Sequence, residues 1–183
     1  VHLFTQSRGK LIYRNHDAVF IPDQSFQDTV CIGSCNGTFP LNEILAETFA
    51  KTKKSLLAFK DNIEIKQKYK GKPKTINGHK NAWIIPSLKH FGKSKMFIDL
   101  QNDVTAKDIK VALSEGFQSI EHVKRYTTTG MATDQGKTSN INALGIISET
   151  INKSINDLGT TTFRLPYTPV TFGALAGRHI KEF

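Results

Sequence analysis

The chain has 183 residues, 38% of them hydrophobic and twelve of them phenylalanine, which is enough for one sizeable core or two small ones and argues against wholesale disorder. No stretch approaches the apolar length that spans a bilayer, and the opening VHLFTQSRGK has neither the apolar core nor the cleavage site of a signal peptide, so the chain reads as soluble and cytoplasmic. The net charge of +9 is local: residues 51–95 hold thirteen lysines, no arginine and few aromatics against only Asp61 and Glu64, a composition that points to a solvated connector rather than a nucleic-acid surface.

Residues 1–32 predict short strands between turns: VHLF, KLIY at 10–13, AVFI at 18–21 and TVCI at 29–32, each rich in β-branched or aromatic residues and bounded by Ser, Gly, Asn, Asp or Pro. The turn IGSCNGTFP follows. A helix is expected beyond it, with Leu41, Ile44, Leu45, Thr48 and Phe49 on one face. Strand, glycine turn and helix in that order resemble one unit of a dinucleotide-binding domain, although Gly33 and Gly37 alone carry little weight. Cys31 and Cys35 are the only cysteines. Their C-x3-C spacing is not that of thiol oxidoreductases, and the expectation is a buried, reduced pair.

The polar stretch 60–82, with its Gly-Lys-Pro and Asn-Gly turns, is the natural boundary between two units. Beyond it, MFIDL predicts a strand. Asp103 or Thr105 can cap a helix ending at Gly116, with Ile109 and Leu113 inward, and Ser119 can cap a second helix carrying Ile120 and Val123. A third helix is expected after Gly136, with Ile141, Leu144, Ile147 and Ile151 as its apolar stripe, and two prolines keep part of the remaining tail extended. The fold class is therefore α/β to α+β. A partial dinucleotide-binding β-α unit (1–59) is followed by a lysine-rich connector (60–95) and a helical domain with a short strand and an extended tail (96–183).

Between the second and third of these helices lies HVKRYTTTGMATDQGKTSN, residues 122–140. It gathers His122, Lys124, Arg125 and Lys137 around eight Ser, Thr, Asn or Gln side chains and two glycines, without the apolar periodicity of a core element. A polar, glycine-punctuated turn before a helix suits an anion, because free N–H groups at the helix start and nearby cations both favour negative charge. The run reads as a phosphate site.

The segments VHLFTQSRGKLIY, CIGSCNGTFPL, FIDLQNDVTAKDI, HVKRYTTTGMATDQGKTSN and GTTTFRLPYTPVTFGALAGRH resemble, in this order, successive pieces of the alpha subunit of heterotetrameric sarcosine oxidase. The resemblance covers nearly the whole chain outside the lysine-rich stretch, and it implies an internal portion of a longer polypeptide. It also implies an amine-oxidising flavoprotein complex with beta, gamma and delta subunits. In that family a covalent FAD lies in the beta subunit, FMN lies between alpha and beta, NAD is carried by alpha, and tetrahydrofolate captures the one-carbon unit.

By that resemblance residues 96–165 face FMN. Lys124 and Arg125 would supply charge, Thr127, Thr129, Gln135 and Lys137 would add donors, and Thr162 and Arg164 would close the site from the other side. The turn from Gly33 through Leu41 matches the NAD region, where Gly33 and Gly37 would admit the backbone approach and Ser34, Phe39 and Leu41 would line the nucleotide. No catalytic residue or metal ligand is expected, and the helical unit is similar to small domains that hold a 2Fe-2S cluster in related dehydrogenases. With no cysteine after Cys35, a cluster in it is not expected. The contrasting reading is a non-catalytic basic adaptor that binds an acidic partner or RNA through residues 51–95.

Overall fold

A computed structural model describes residues 1–59, 66, 81–85, 93–165 and 167–178. Most of the lysine-rich connector therefore lies outside the described residues. The chain forms two compact units, Val1–Asn81 and Ala82–Phe183. Among the described residues helices are combined with two separate two-stranded antiparallel sheets, an α/β to α+β mixture. None of the described helices is long and apolar enough to cross a membrane.

The first unit opens with α1 (His2–Gln6), where a strand was expected from VHLF. The reason lies just beyond its end. Arg8 adopts a left-handed φ of +68°, Gly9 N–H donates to Phe4 C=O at 2.9 Å and Arg8 N–H to Thr5 C=O at 3.0 Å, the two bonds of a Schellman closure. Phe4 is buried against Gly9, where a Cβ would run into its ring. Strands β1 (Lys10–Arg14) and β2 (Val19–Gln24) then form a hairpin that sets Tyr13 opposite Phe20, ring centroids 5.2 Å apart.

Residues 29–32 are not a strand, contrary to the reading of TVCI. Among the described residues they pair with no strand, and side chains take two of their carbonyls. Cys31 C=O accepts from Lys51 Nζ at 2.9 Å, and Ile32 C=O accepts from Cys35 Sγ at 3.1 Å. A 3₁₀ turn (Gly33–Asn36) leads into α2 (Leu41–Leu57). The cysteines are unpaired and half-buried rather than buried. Burial, with Cys35 beside it, pushes the Cys31 thiol up.

In the second unit β3 (Phe97–Asp99) pairs with β4 (Val104–Thr105). Thr105 caps α3 (Ala106–Ser114) in a complete capping box with Asp108, whose carboxyl the Thr105 hydroxyl holds below its ordinary value. Gly116, at φ +96°, turns the chain away. Helix α4 (Ile120–Thr127) packs on α3, and α5 (Asn140–Ile151) packs on α3 and on α6 (Ile155–Leu158). The core is Ile98, Val104, Ile109, Ile120, Val123, Leu144, Ile146, Ile147 and Ile155 with alanines between them. Helix α5 is buried around more of its girth than a single stripe predicts, since Ala143, Gly145 and Ile146 are buried as well. Gly145 is small for a reason. The Trp83 indole occupies the space its Cβ would need. The described tail ends in α7 (Phe172–Ala176).

Candidate functional site

The polar run 122–140 folds as the end of α4, a loop and the start of α5. Three anchors fix the loop. Thr128, at φ +63°, ends α4 in the left-handed region, where Asn102 Nδ2 donates to its C=O at 2.9 Å. Asp99, 1% exposed at the end of β3, accepts from Gly130 N–H at 2.7 Å, and also from Gln101 N–H, Asn102 N–H and Asn102 Nδ2. Asn140 at the head of α5 fills the room that side chains at Gly130 and Gly136 would need, and its Nδ2 donates to Gln135 C=O at 3.2 Å and Thr161 Oγ1 at 3.0 Å. The glycines are therefore required by the packing of Asn140 as well as by their positive φ.

A strap, described at residues 161–165 and 167, crosses this loop. Asn140 holds Thr161, Gln135 holds Arg164 through both of its backbone polar groups, and Lys137 Nζ donates to Tyr167 C=O at 3.1 Å with its ammonium 4.1 Å from the tyrosine ring centroid. Between helix, loop and strap lies a cleft of about 530 Å3, within the range of small-molecule sites. Lys124, Arg125, Gln135, Thr162 and Arg164 line it, together with Glu121 and the apolar Met131, Ala132 and Pro169.

Five of the eight residues expected to hold FMN thus come together. The other three do not line the cleft. Thr127 Oγ1 donates back to Val123 C=O at 2.7 Å, Thr129 is 1% exposed, and Lys137 is engaged with Tyr167. The expected source of anion affinity also changes. Gly130 N–H goes to Asp99, Met131 N–H to Thr128 C=O, Gln135 N–H to Ala132 C=O, Gly136 N–H to the Asp134 carboxylate, and Asn140 N–H to Gly136 C=O. These backbone donors are already used, and the charged groups on the cleft are side chains. Three cations face one carboxylate, Glu121, which pairs with Arg125 at 3.4 Å.

Asp99 and Asn102 were not singled out from the sequence, yet they shape the site. The available signal was an aspartate closing the apolar run MFID, with Gln-Asn two and three residues on, a pattern in which the carboxylate accepts from the N–H groups of those two residues.

The turn 33–41 meets a different outcome. Gly33 and Gly37 do take positive φ, but against the chain's own side chains. A Cβ on Gly33 would meet Ile44, and one on Gly37 would meet Arg14 and Ile21. The Glu47 carboxylate of α2 accepts Gly33 N–H at 3.0 Å, Asn36 Nδ2 at 2.6 Å and Lys51 Nζ at 2.7 Å. Burial raises this carboxyl, but its donors, Thr38 among them, outweigh burial and hold it at about 2. A protein carboxylate occupies the donors a nucleotide phosphate would use. The adjoining hollow is lined by Gly37 and Phe39 but not by Ser34 or Leu41, and it includes Asp17 and Glu43, the latter in the first turn of α2. Arg14 and His16 line it as well, with Arg14 paired to Asp17, so the hollow offers no surplus of positive charge to a pyrophosphate. Gly33 N–H, Gly37 N–H, Thr38 N–H and the Asn36 amide are bonded within the chain, so the turn does not present these donors to NAD.

The second unit is thus a small helical domain with a loop-walled, cationic cleft of cofactor size. Residues 93–178 match the sarcosine oxidase A3 domain. Over 97–98% of its length the chain resembles sarcosine oxidase alpha subunits, being 38% identical to that of Rhizobium meliloti (strain 1021) and 36% identical to those of Corynebacterium sp. (strain P-1) and Corynebacterium sp. (strain U-96). It spans 18–19% of the length of these relatives.

Proposed function

We propose that this chain is the cofactor-holding portion of the alpha subunit of an amine-oxidising flavoprotein complex of the sarcosine oxidase type. In this reading the FMN phosphate is held in the cleft of the second unit, shared with a beta subunit. FAD in that subunit, tetrahydrofolate, and the gamma and delta subunits belong to the rest of the complex. FMN, when bound, supplies one- and two-electron acceptance between the amine-oxidising flavin and oxygen. The observation that carries the reading is the convergence of Lys124 and Arg125 from α4 with Arg164 from the strap on one cleft, an excess of positive charge suited to a dianionic phosphate. The planar guanidinium groups can each present two parallel donors to it, which a lysine cannot. Met131, Ala132 and Pro169 offer apolar contact to a flavin ring. The chain contributes binding and orientation; no residue in it is assigned bond-breaking chemistry, and turnover belongs to the complex.

The test uses the complex assembled from full-length subunits. A charge-assisted hydrogen bond contributes about 1.5–3 kcal/mol, so Arg125→Ala or Arg164→Ala should weaken FMN retention roughly ten- to a hundredfold while leaving the covalent flavin of the beta subunit in place. Sarcosine should still reduce that covalent flavin, and onward transfer of electrons to oxygen should fall. Lys54→Ala, an exposed lysine of α2, serves as the control and should change neither flavin. Full FMN retention in both arginine variants, or an equal loss in the control, would refute the cleft as the flavin site.

A further inference from the structure

Gln135 lines the cleft, but its amide is turned along the chain's own backbone. Its Oε1 accepts from Arg164 N–H at 2.7 Å and its Nε2 donates to Arg164 C=O at 2.9 Å. A primary amide that engages both polar groups of one residue copies the reciprocal bond pair of an antiparallel ladder, and it fixes the backbone orientation of that residue. Gln135 is itself rigidly placed. It sits at a left-handed φ of +51°, its N–H donates to Ala132 C=O at 2.9 Å and its C=O accepts from Asn140 Nδ2. Arg164 lies between two further stitches to the same short stretch, Thr161 to Asn140 on one side and Tyr167 to Lys137 on the other. The strap is therefore clamped at three points, and the central clamp is on the residue whose guanidinium lines the cleft.

We infer that Gln135 is a positioning residue for the anion site, acting through Arg164: it orients the strap so that the guanidinium is presented to a bound phosphate. The inference rests on the flavin reading for its ligand, but the clamp itself can be tested without flavin. Amide hydrogen exchange on the flavin-free full chain should show Arg164 N–H exchanging roughly tenfold faster in Gln135→Ala than in the parent. Gln135→Asn keeps the amide but is one methylene too short to span both backbone groups, so it should behave alike and supplies a second variant should the first fold poorly.

In the assembled complex, Gln135→Ala should weaken FMN retention by a factor approaching that of Arg164→Ala, and the double variant should be no weaker than Arg164→Ala alone to within about twofold. The ionic-strength dependence gives a separate readout. Although Gln135→Ala removes no charge, it should flatten the salt dependence of FMN binding as Arg164→Ala does, because both withdraw the same guanidinium from the phosphate. Losses that multiply in the double variant, or a weaker Gln135→Ala complex with the parent salt dependence, would overturn the inference in favour of direct contact. Unchanged exchange at Arg164 would overturn the clamp. Faster exchange with FMN retention unaltered in Arg164→Ala would instead locate the failure in the flavin reading, and would overturn the functional role assigned to the clamp with it.

Discussion

Asp99 meets its needs as a buried carboxylate by accepting four N–H groups, and one of those, Gly130 N–H, belongs to the wall of the cleft. Replacing it with Asn substitutes an NH2 for one acceptor oxygen and turns donor against donor. The cost should be about 1–3 kcal/mol of stability, read as a lower urea midpoint, with weaker FMN retention because the loop loses its anchor. Full stability with weakened flavin would show Asp99 to act on the ligand rather than the loop. Glu47 has the corresponding role in the turn 33–38, and its pKa gives a pH signature. Because the folded value lies near 2, below its ordinary 4.5, the stabilisation is fully present above about pH 4.5 and is lost as pH falls toward 2. Glu47→Gln should lower stability by about 1.5–3 kcal/mol at neutral pH and remove much of the acid sensitivity between pH 4.5 and 2, as followed by far-UV circular dichroism. The two carboxylates differed in how far the sequence could show them. Lys124, Arg125 and Arg164 announce themselves by charge, whereas the turn glycines that Asp99 and Glu47 hold, Gly130 and Gly33, lie 31 and 14 residues away and become visible only when the chain has folded.

Elements of the second unit were legible because each carries its own local punctuation. Thr105 and Asp108 form the capping box, Gly116 ends α3, and Ser119 stands before α4. In the first unit the local signals conflicted. The β-branched and aromatic content of VHLF favoured a strand, but Arg8 and Gly9 close a helical turn on Phe4, and at 29–32 the Cys31 and Ile32 carbonyls are taken by the Lys51 and Cys35 side chains. Helix α5 shows what burial on several sides demands. Gly145→Ala should displace the Trp83 indole or push α5 off its neighbours, costing about 1–3 kcal/mol despite alanine's better helix propensity, and a denaturant midpoint at or above that of the parent would contradict this packing. The strap's three stitches to 135–140 pair residues far apart in sequence and left no periodic trace.

Taken whole, the chain repeats one device in two units: a carboxylate from regular structure gathers the N–H groups of a glycine-bearing turn. In residues 1–81 that device consumes the turn, and in 82–183 it leaves a cationic hollow beside it. The lone tryptophan of the sequence is Trp83, seated against α5 within the second unit. Its emission is thus a native optical label for that unit alone, while the first unit is silent at the same wavelength. Acid that protonates Glu47 should erode far-UV ellipticity before the indole shifts, so two traces from one uncut sample would tell which half of the chain is opening.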